Sequence, residues 1–108
     1  MVEYSLQLDN IFGALSDPTR RDILQRTTSR ELTVNEVAGP YDLTLAAISK
    51  HLKILEQAKL IVRRRQGRKS YVRLDHATLR QAEDYLEQYG VSLSQRLDRL
   101  DQYINREK

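Results

Sequence analysis

A threonine-capped helix with one apolar side, followed at once by a hairpin centred on glycine, occupies residues 43–75 and constrains the whole chain. Thr44 is placed to cap the helix. Leu45, Ile48, Leu52 and Leu55 fall on one side, leaving Ala46, Ala47, Ser49, Lys50 and Lys53 facing outward. Ile61-Val62 then opens a strand, Gln66-Gly67-Arg68-Lys69 turns, and Tyr71–Leu74 returns, with Gly67 where a positive φ is needed. This segment carries nine Lys/Arg against two Asp/Glu, a net +7. Residues 1–42 carry four against seven, and residues 76–108 five against six, so the total of +3 is a basic patch on a slightly acidic body. Such concentration is the electrostatic footprint of a polyanion-binding face.

Upstream, Leu8, Ile11, Phe12 and Leu15 follow the i, i+3, i+4, i+7 spacing of a helix with one apolar face. Gly13 within it costs about 1 kcal/mol relative to alanine, so this helix depends on packing. Asp17-Pro18 is a start signal, the carboxylate capping free amides and proline suiting the first helical position. Ile23 and Leu24 supply the buried side of that second helix. Thr33-Val-Asn-Glu36 spells a capping box for a short third helix, carrying Val34, Val37 and Ala38 and ending near Gly39-Pro40.

In the last third, with Asp75 as its cap, Leu79, Ala82, Leu86, Tyr89, Leu93, Leu97, Leu100 and Ile104 recur at heptad-like spacing with one stutter. Residues 76–108 read as one long helix with a kink at Gly90, or as two helices. A helix this long has more apolar face than so small a domain can cover, which predicts a homodimer. Its interface is expected to use Leu8, Ile11, Leu86, Tyr89, Leu93, Leu97, Leu100 and Ile104. Tyr85, Tyr89 and Tyr103 are expected to pack there, a small-molecule pocket being the alternative.

The longest apolar run is Leu45–Ile48, which predicts no membrane-spanning helix, and Met1–Ser5 has no features of a secretory leader. A cytoplasmic, single-domain protein is expected over residues 1–108. Cysteine is absent and histidine numbers two, so no metal site or other cofactor is expected. Ser49 and His51 lie two apart on a helix and point to nearly opposite sides, so they cannot act as nucleophile and base. No catalytic group is expected.

Short helices, then a capped helix, then a basic hairpin make the winged helix-turn-helix order: mainly α with a small β-hairpin. An α-helix fits the major groove of B-DNA and presents its outward side chains to base edges. The predicted readers are Thr44, Ala46, Ala47, Ser49, Lys50 and Lys53, with His51 either a further reader or held by packing or a structural hydrogen bond. On the hairpin, alternation across the strand means that Arg63, Arg64, Arg65 and Arg73 cannot all face one way. Arg63, Arg65, Arg68 and Lys69 are the predicted DNA contacts, with Arg68 and Lys69 at the tip best placed for phosphates or the minor groove. A winged-helix protein–protein adaptor without nucleic acid is the alternative. Binding to single strands lacks support, since no exposed aromatics interleave the basic residues.

Asp17-Pro-Thr-Arg20 with Ile23-Leu24, Glu31-Leu32, Leu43–Leu52 with Leu55, and Arg64–Arg68 with Tyr71 and Leu74-Asp75 resemble the ArsR family of winged-helix repressors, in register over residues 8–76. The resemblance implies a homodimeric transcriptional repressor that docks two recognition helices in successive major grooves of double-stranded DNA. It also implies that the first and last helices, residues 1–15 and 76–108, make the dimer around a helix-turn-helix at 33–58 and a wing at 60–75. Thr33 and Asn35 stand where arsenic-sensing members place cysteines. Asp75-His76 is not followed by the second histidine of zinc-sensing members. The chain thus resembles members without a metal, and whether a small molecule or a protein is its effector stays open. The usual glycine after the recognition helix is Lys59, which weakens the expected helix stop.

Overall fold

The computed structural model describes residues 2–89, with side chains from Leu6 onward. Helix α1, Val2–Leu15, buries Leu8, Ile11 and Ala14. Its last carbonyls are taken by the next element: Arg20 donates from Nε to Ala14 O (2.8 Å) and from Nη2 to Gly13 O (3.2 Å), and Arg21 Nη1 donates to Leu15 O (2.8 Å). Helix α2, Pro18–Arg26, starts as its sequence signal predicts, with the Asp17 carboxylate accepting from the Arg20 amide at 3.0 Å and Pro18 first in the helix.

Strand β1 is only Leu32–Thr33 and leads directly into α3, Val34–Ala38. The capping box forms as expected: Glu36 N donates to Thr33 Oγ1 (3.1 Å) and Thr33 N to Glu36 Oε1 (2.9 Å). Arg26 closes the other end of α3, donating to the Val37 and Glu36 carbonyls at 2.8 and 2.6 Å while lying over the Tyr41 ring. Tyr41 in turn donates to Asp22, so α2 holds the end of α3 and the Tyr41 side chain just after it.

Helix α4, Leu45–Gln57, is capped by Thr44, whose hydroxyl accepts from the Ala47 amide at 3.1 Å. Ile48, Leu52 and Leu55 are fully buried beneath it. Leu45 was expected on that side and is instead 62% exposed. At about 100° per residue it sits at the edge of the apolar stripe, and in the first turn of the helix that edge is left outside the core. Past Ala58, Lys59 takes φ 62°, its amide donates to Glu56 O (2.9 Å) and the Leu60 amide to Leu55 O (3.0 Å). Those two bonds, with Leu55 and Leu60 both buried, are a Schellman motif built without its usual glycine.

Strands β2, Ile61–Gln66, and β3, Lys69–Leu74, pair antiparallel from Ile61↔Leu74 to Gln66↔Lys69, with Gly67 at φ 63° first in the turn. The expected hairpin is therefore present, but it is part of a three-stranded sheet in the order β1-β3-β2, with Leu32 opposite Val72. Two residues are too short to leave a period-two pattern, so β1 was unreadable from sequence.

Helix α5, His76–Glu87, is capped by Asp75 and packs on α1 through Ala82 and the Phe12–Tyr85 ring pair, centroids 5.9 Å apart. Leu86 (37%) and Tyr89 (61%) are exposed, and the Tyr89 hydroxyl is 3.0 Å from that of Tyr85. Leu8 and Ile11, expected at a dimer interface, are 6% and 0% exposed within the chain's own core. Their surface is already covered by side chains of the same cluster, so these two residues belong to the protomer's own core. Leu93, Leu97, Leu100, Ile104 and Tyr103 lie outside the described residues, as does the choice between one and two helices beyond Tyr89.

Candidate nucleic-acid interface

The buried stripe of Ile48, Leu52 and Leu55 turns the opposite side of α4 to solvent. Thr44, Ala46, Ser49, Lys50 and Lys53 are exposed on it and Ala47 is half-buried. Neither lysine side chain hydrogen-bonds or ion-pairs with another described residue. Their ammonium groups are consequently available to an anion approaching the helix.

His51 lies elsewhere. Its side chain is 20% exposed and turned toward the start of α2, with Nδ1 3.3 Å from Arg20 Nη1 and 3.8 Å from Asp17 Oδ2. The sequence leaves His51 open between a DNA contact and a packed or hydrogen-bonded place, and its contact with Arg20 is of the second kind. The structure puts it on the flank that packs, one residue round the helix from Lys50. The Arg20 amide, ahead of other charges, holds the Asp17 carboxyl below its ordinary value of 3.8.

The sheet register divides the hairpin cations. Directly paired residues share a face, and neighbours along a strand alternate. Ile61 pairs with Leu74 and Arg63 with Val72; Ile61, Leu74 and Val72 are buried, so this series, continued by Arg65 opposite Ser70, faces the helices. Arg64 opposite Tyr71, and Arg73 opposite Val62, lie on the other face. There Arg64 makes a forked pair with Glu31, Nε–Oε2 2.9 Å and Nη2–Oε1 2.7 Å, and stacks over the Tyr71 ring. Hydrogen bonding to Arg64 lowers the Glu31 pKa and raises that of Arg64. Arg64 is thus a fastener between the β1 approach and the wing. The sequence contained its two partners, but their 33-residue separation gave no local signal.

On the helix-facing side Arg63 Nε stands 3.7 Å from Glu56 of α4. Arg65, Arg68 and Lys69 are exposed, and their side chains make no hydrogen bond or ion pair with another described residue. Between the start of α3 and the wing runs a cleft of about 360 Å³, lined by Thr33, Asn35, Arg63, Arg68, Lys69 and Ser70 among others. Among the described residues there is no cluster of three or more His, Cys, Asp or Glu able to hold a metal.

A helix-turn-helix domain model matches residues 15–64. The transcriptional repressor SdpR of Bacillus subtilis is 34% identical over 79 residues, covering 73% of this chain and 88% of its own. The crystal structure of an ArsR family transcriptional regulator is 35% identical and superposes with a TM-score of 0.75 over 79% of this chain and 88% of that one. The chain belongs to the ArsR family.

A further ArsR-type neighbour is the homodimeric winged helix-turn-helix DNA-binding domain of a possible regulator from Mycobacterium bovis. It is 27% identical, with a TM-score of 0.63 over 68% of this chain and 69% of that one. This chain shares the winged helix-turn-helix fold of that domain. The stretch Asp17–Arg20 caps α2, closes α1 and reaches α4 through His51.

Proposed function

We propose that the chain is a homodimeric transcriptional repressor that binds a pseudo-palindromic operator in double-stranded DNA. The observation that carries this reading is the coincidence of uncompensated cations on two adjoining elements: Lys50 and Lys53 on α4, and Arg65, Arg68 and Lys69 on the wing. Side chains of α4 enter the major groove, with Thr44, Ala46, Ser49, Lys50 and Lys53 near base edges or flanking phosphates. Arg68 and Lys69 hold the adjoining backbone, and phosphate oxygens approach the cleft lined by Arg63, Arg68 and Lys69.

Residues 1–108 act as one unit in this reading, with residues 1–15 and 76–108 joining two copies. The homodimeric Mycobacterium bovis neighbour and the exposed Leu86 and Tyr89 support that assignment. Such a repressor works in the cytoplasm beside the chromosome, without a catalytic step.

Selection of bound sequences from a random duplex pool tests the proposal. Two-fold symmetry predicts inverted half-sites about one helical turn apart, centre to centre. Failure to retain any duplex at low salt would favour a winged helix acting as a protein adaptor.

A further inference from the structure

We propose that Leu45 reads a thymine in the operator by packing against its C5-methyl group; this rests on the DNA-binding reading above. Leu45 is the most exposed of the large aliphatic side chains with described exposure, 62%, yet it opens the helix assigned to the groove. The Thr44 cap fixes its position: with the Thr44 hydroxyl on the Ala47 amide, Leu45 is the first helical residue, where recognition helices meet base edges.

Along α4 the line from Leu45 continues through Ser49 to Lys53, residues four apart that share one side of a helix. Leu45 therefore stands on the edge of the surface that carries Lys50 and Lys53, both exposed and unpaired among the described residues. An apolar protein partner seated on Leu45 would have to dehydrate those ammonium groups. Duplex DNA leaves them beside phosphates, and it offers one apolar projection in the major groove, the thymine methyl. Leu43, 44% exposed, lies before the cap and outside the helix, so it is the comparison residue and not the reader.

The test uses the full chain and the duplex obtained by selection. Each thymine is replaced in turn by deoxyuridine, which removes only the methyl group, and binding is titrated for the native protein, Leu45→Ala and Leu43→Ala. The expected result is one symmetry-related pair of thymines whose demethylation weakens native binding roughly fourfold per half-site, the effect of one buried methyl. That penalty vanishes in Leu45→Ala and persists in Leu43→Ala. Leu45→Gln shifts preference at the same position toward adenine, whose N6 and N7 a glutamine amide can engage.

Leu45 is exposed, so these variants keep the native circular dichroism and unfolding midpoint. A selected operator with no methyl-sensitive thymine overturns the inference. So does a methyl penalty that survives Leu45→Ala. Failure to select any duplex is a separate result, and it overturns the DNA-binding reading along with this one.

Discussion

Arg20 and His51 meet across 31 residues of sequence, Nη1 to Nδ1 at 3.3 Å, joining the α1–α2 corner to the helix proposed to enter DNA. A guanidinium can only donate, so this contact requires the lone pair on Nδ1 and the hydrogen on Nε2. The same guanidinium closes α1 through the Ala14 and Gly13 carbonyls. The Asp17 carboxylate lies 3.8 Å from the same nitrogen, beyond hydrogen-bond reach, so the Arg20 contact is the closer one.

Arg20→Ala is expected to lower stability by about 2 kcal/mol, the worth of charged hydrogen bonds to otherwise open carbonyls. Arg20→Lys should recover little, because one ammonium cannot reproduce the fork. Urea unfolding measures both. His51→Ala should shift the unfolding midpoint while leaving the salt dependence of DNA binding as it was. A flattened salt slope for that variant would place the imidazole at phosphate after all.

Two backbone positions respond in opposite senses to glycine. Lys59 holds a left-handed φ of 62° at the end of α4, where a side chain is strained, so Lys59→Gly should stabilise by about 0.5–1 kcal/mol. Gly13 lies inside α1, and an added Cβ there meets nothing within 4 Å. Gly13→Ala should therefore also stabilise, by up to about 1 kcal/mol. Thermal unfolding of the two single variants and the double reads both effects, which should add because the sites share no partner.

Acid should weaken the fold through three carboxylates. Asp17 is held below 3.8 chiefly by the Arg20 amide, Glu31 below 4.5 by Arg64, and Glu36 below 4.5 by the Thr33 amide. A depressed native pKa means the native state binds fewer protons. The stabilisation is full above these ordinary values and disappears as pH falls through the lower native ones. Unfolding midpoints measured from about pH 6 down to about pH 3 should fall. In Glu36→Gln the fall should be shallower, since glutamine keeps the capping bond and cannot titrate.

The wing face dictates which arginines control affinity. Arg68→Ala and Lys69→Ala should each weaken binding to all duplexes and reduce the slope of log K against log salt by about 0.9. Arg64→Ala, on the opposite face and paired with Glu31, should leave that slope unchanged while lowering stability. Anisotropy titrations at several salt concentrations separate the two behaviours.

Leu86→Glu or Tyr89→Glu should shift the chain toward monomer in sedimentation velocity while retaining the far-ultraviolet spectrum. Both side chains are exposed, so the charge falls chiefly on the proposed partner surface, and Tyr89→Glu also removes the ring contact with Tyr85. Unchanged sedimentation for both variants would remove these residues from any dimer contact.

Local signals were sufficient for the starts of α2, α3, α4 and α5, because Asp17, Thr33, Thr44 and Asp75 each act on amides two or three residues away. The hairpin turn at Gly67 and the apolar side of α4 from Ile48 to Leu55 were legible for the same reason, as was the concentration of charge at 43–75. Tertiary structure alone decided what each side chain faces. It paired Leu32 with Val72, committed Arg64 to Glu31, turned His51 toward Arg20, drew Leu8 and Ile11 into the core and left Leu45 in solvent. Caps, turns and periodicity are interactions within a few residues, written in adjacent positions. Exposure and pairing depend on which distant surfaces arrive alongside, and that is set only when the elements pack.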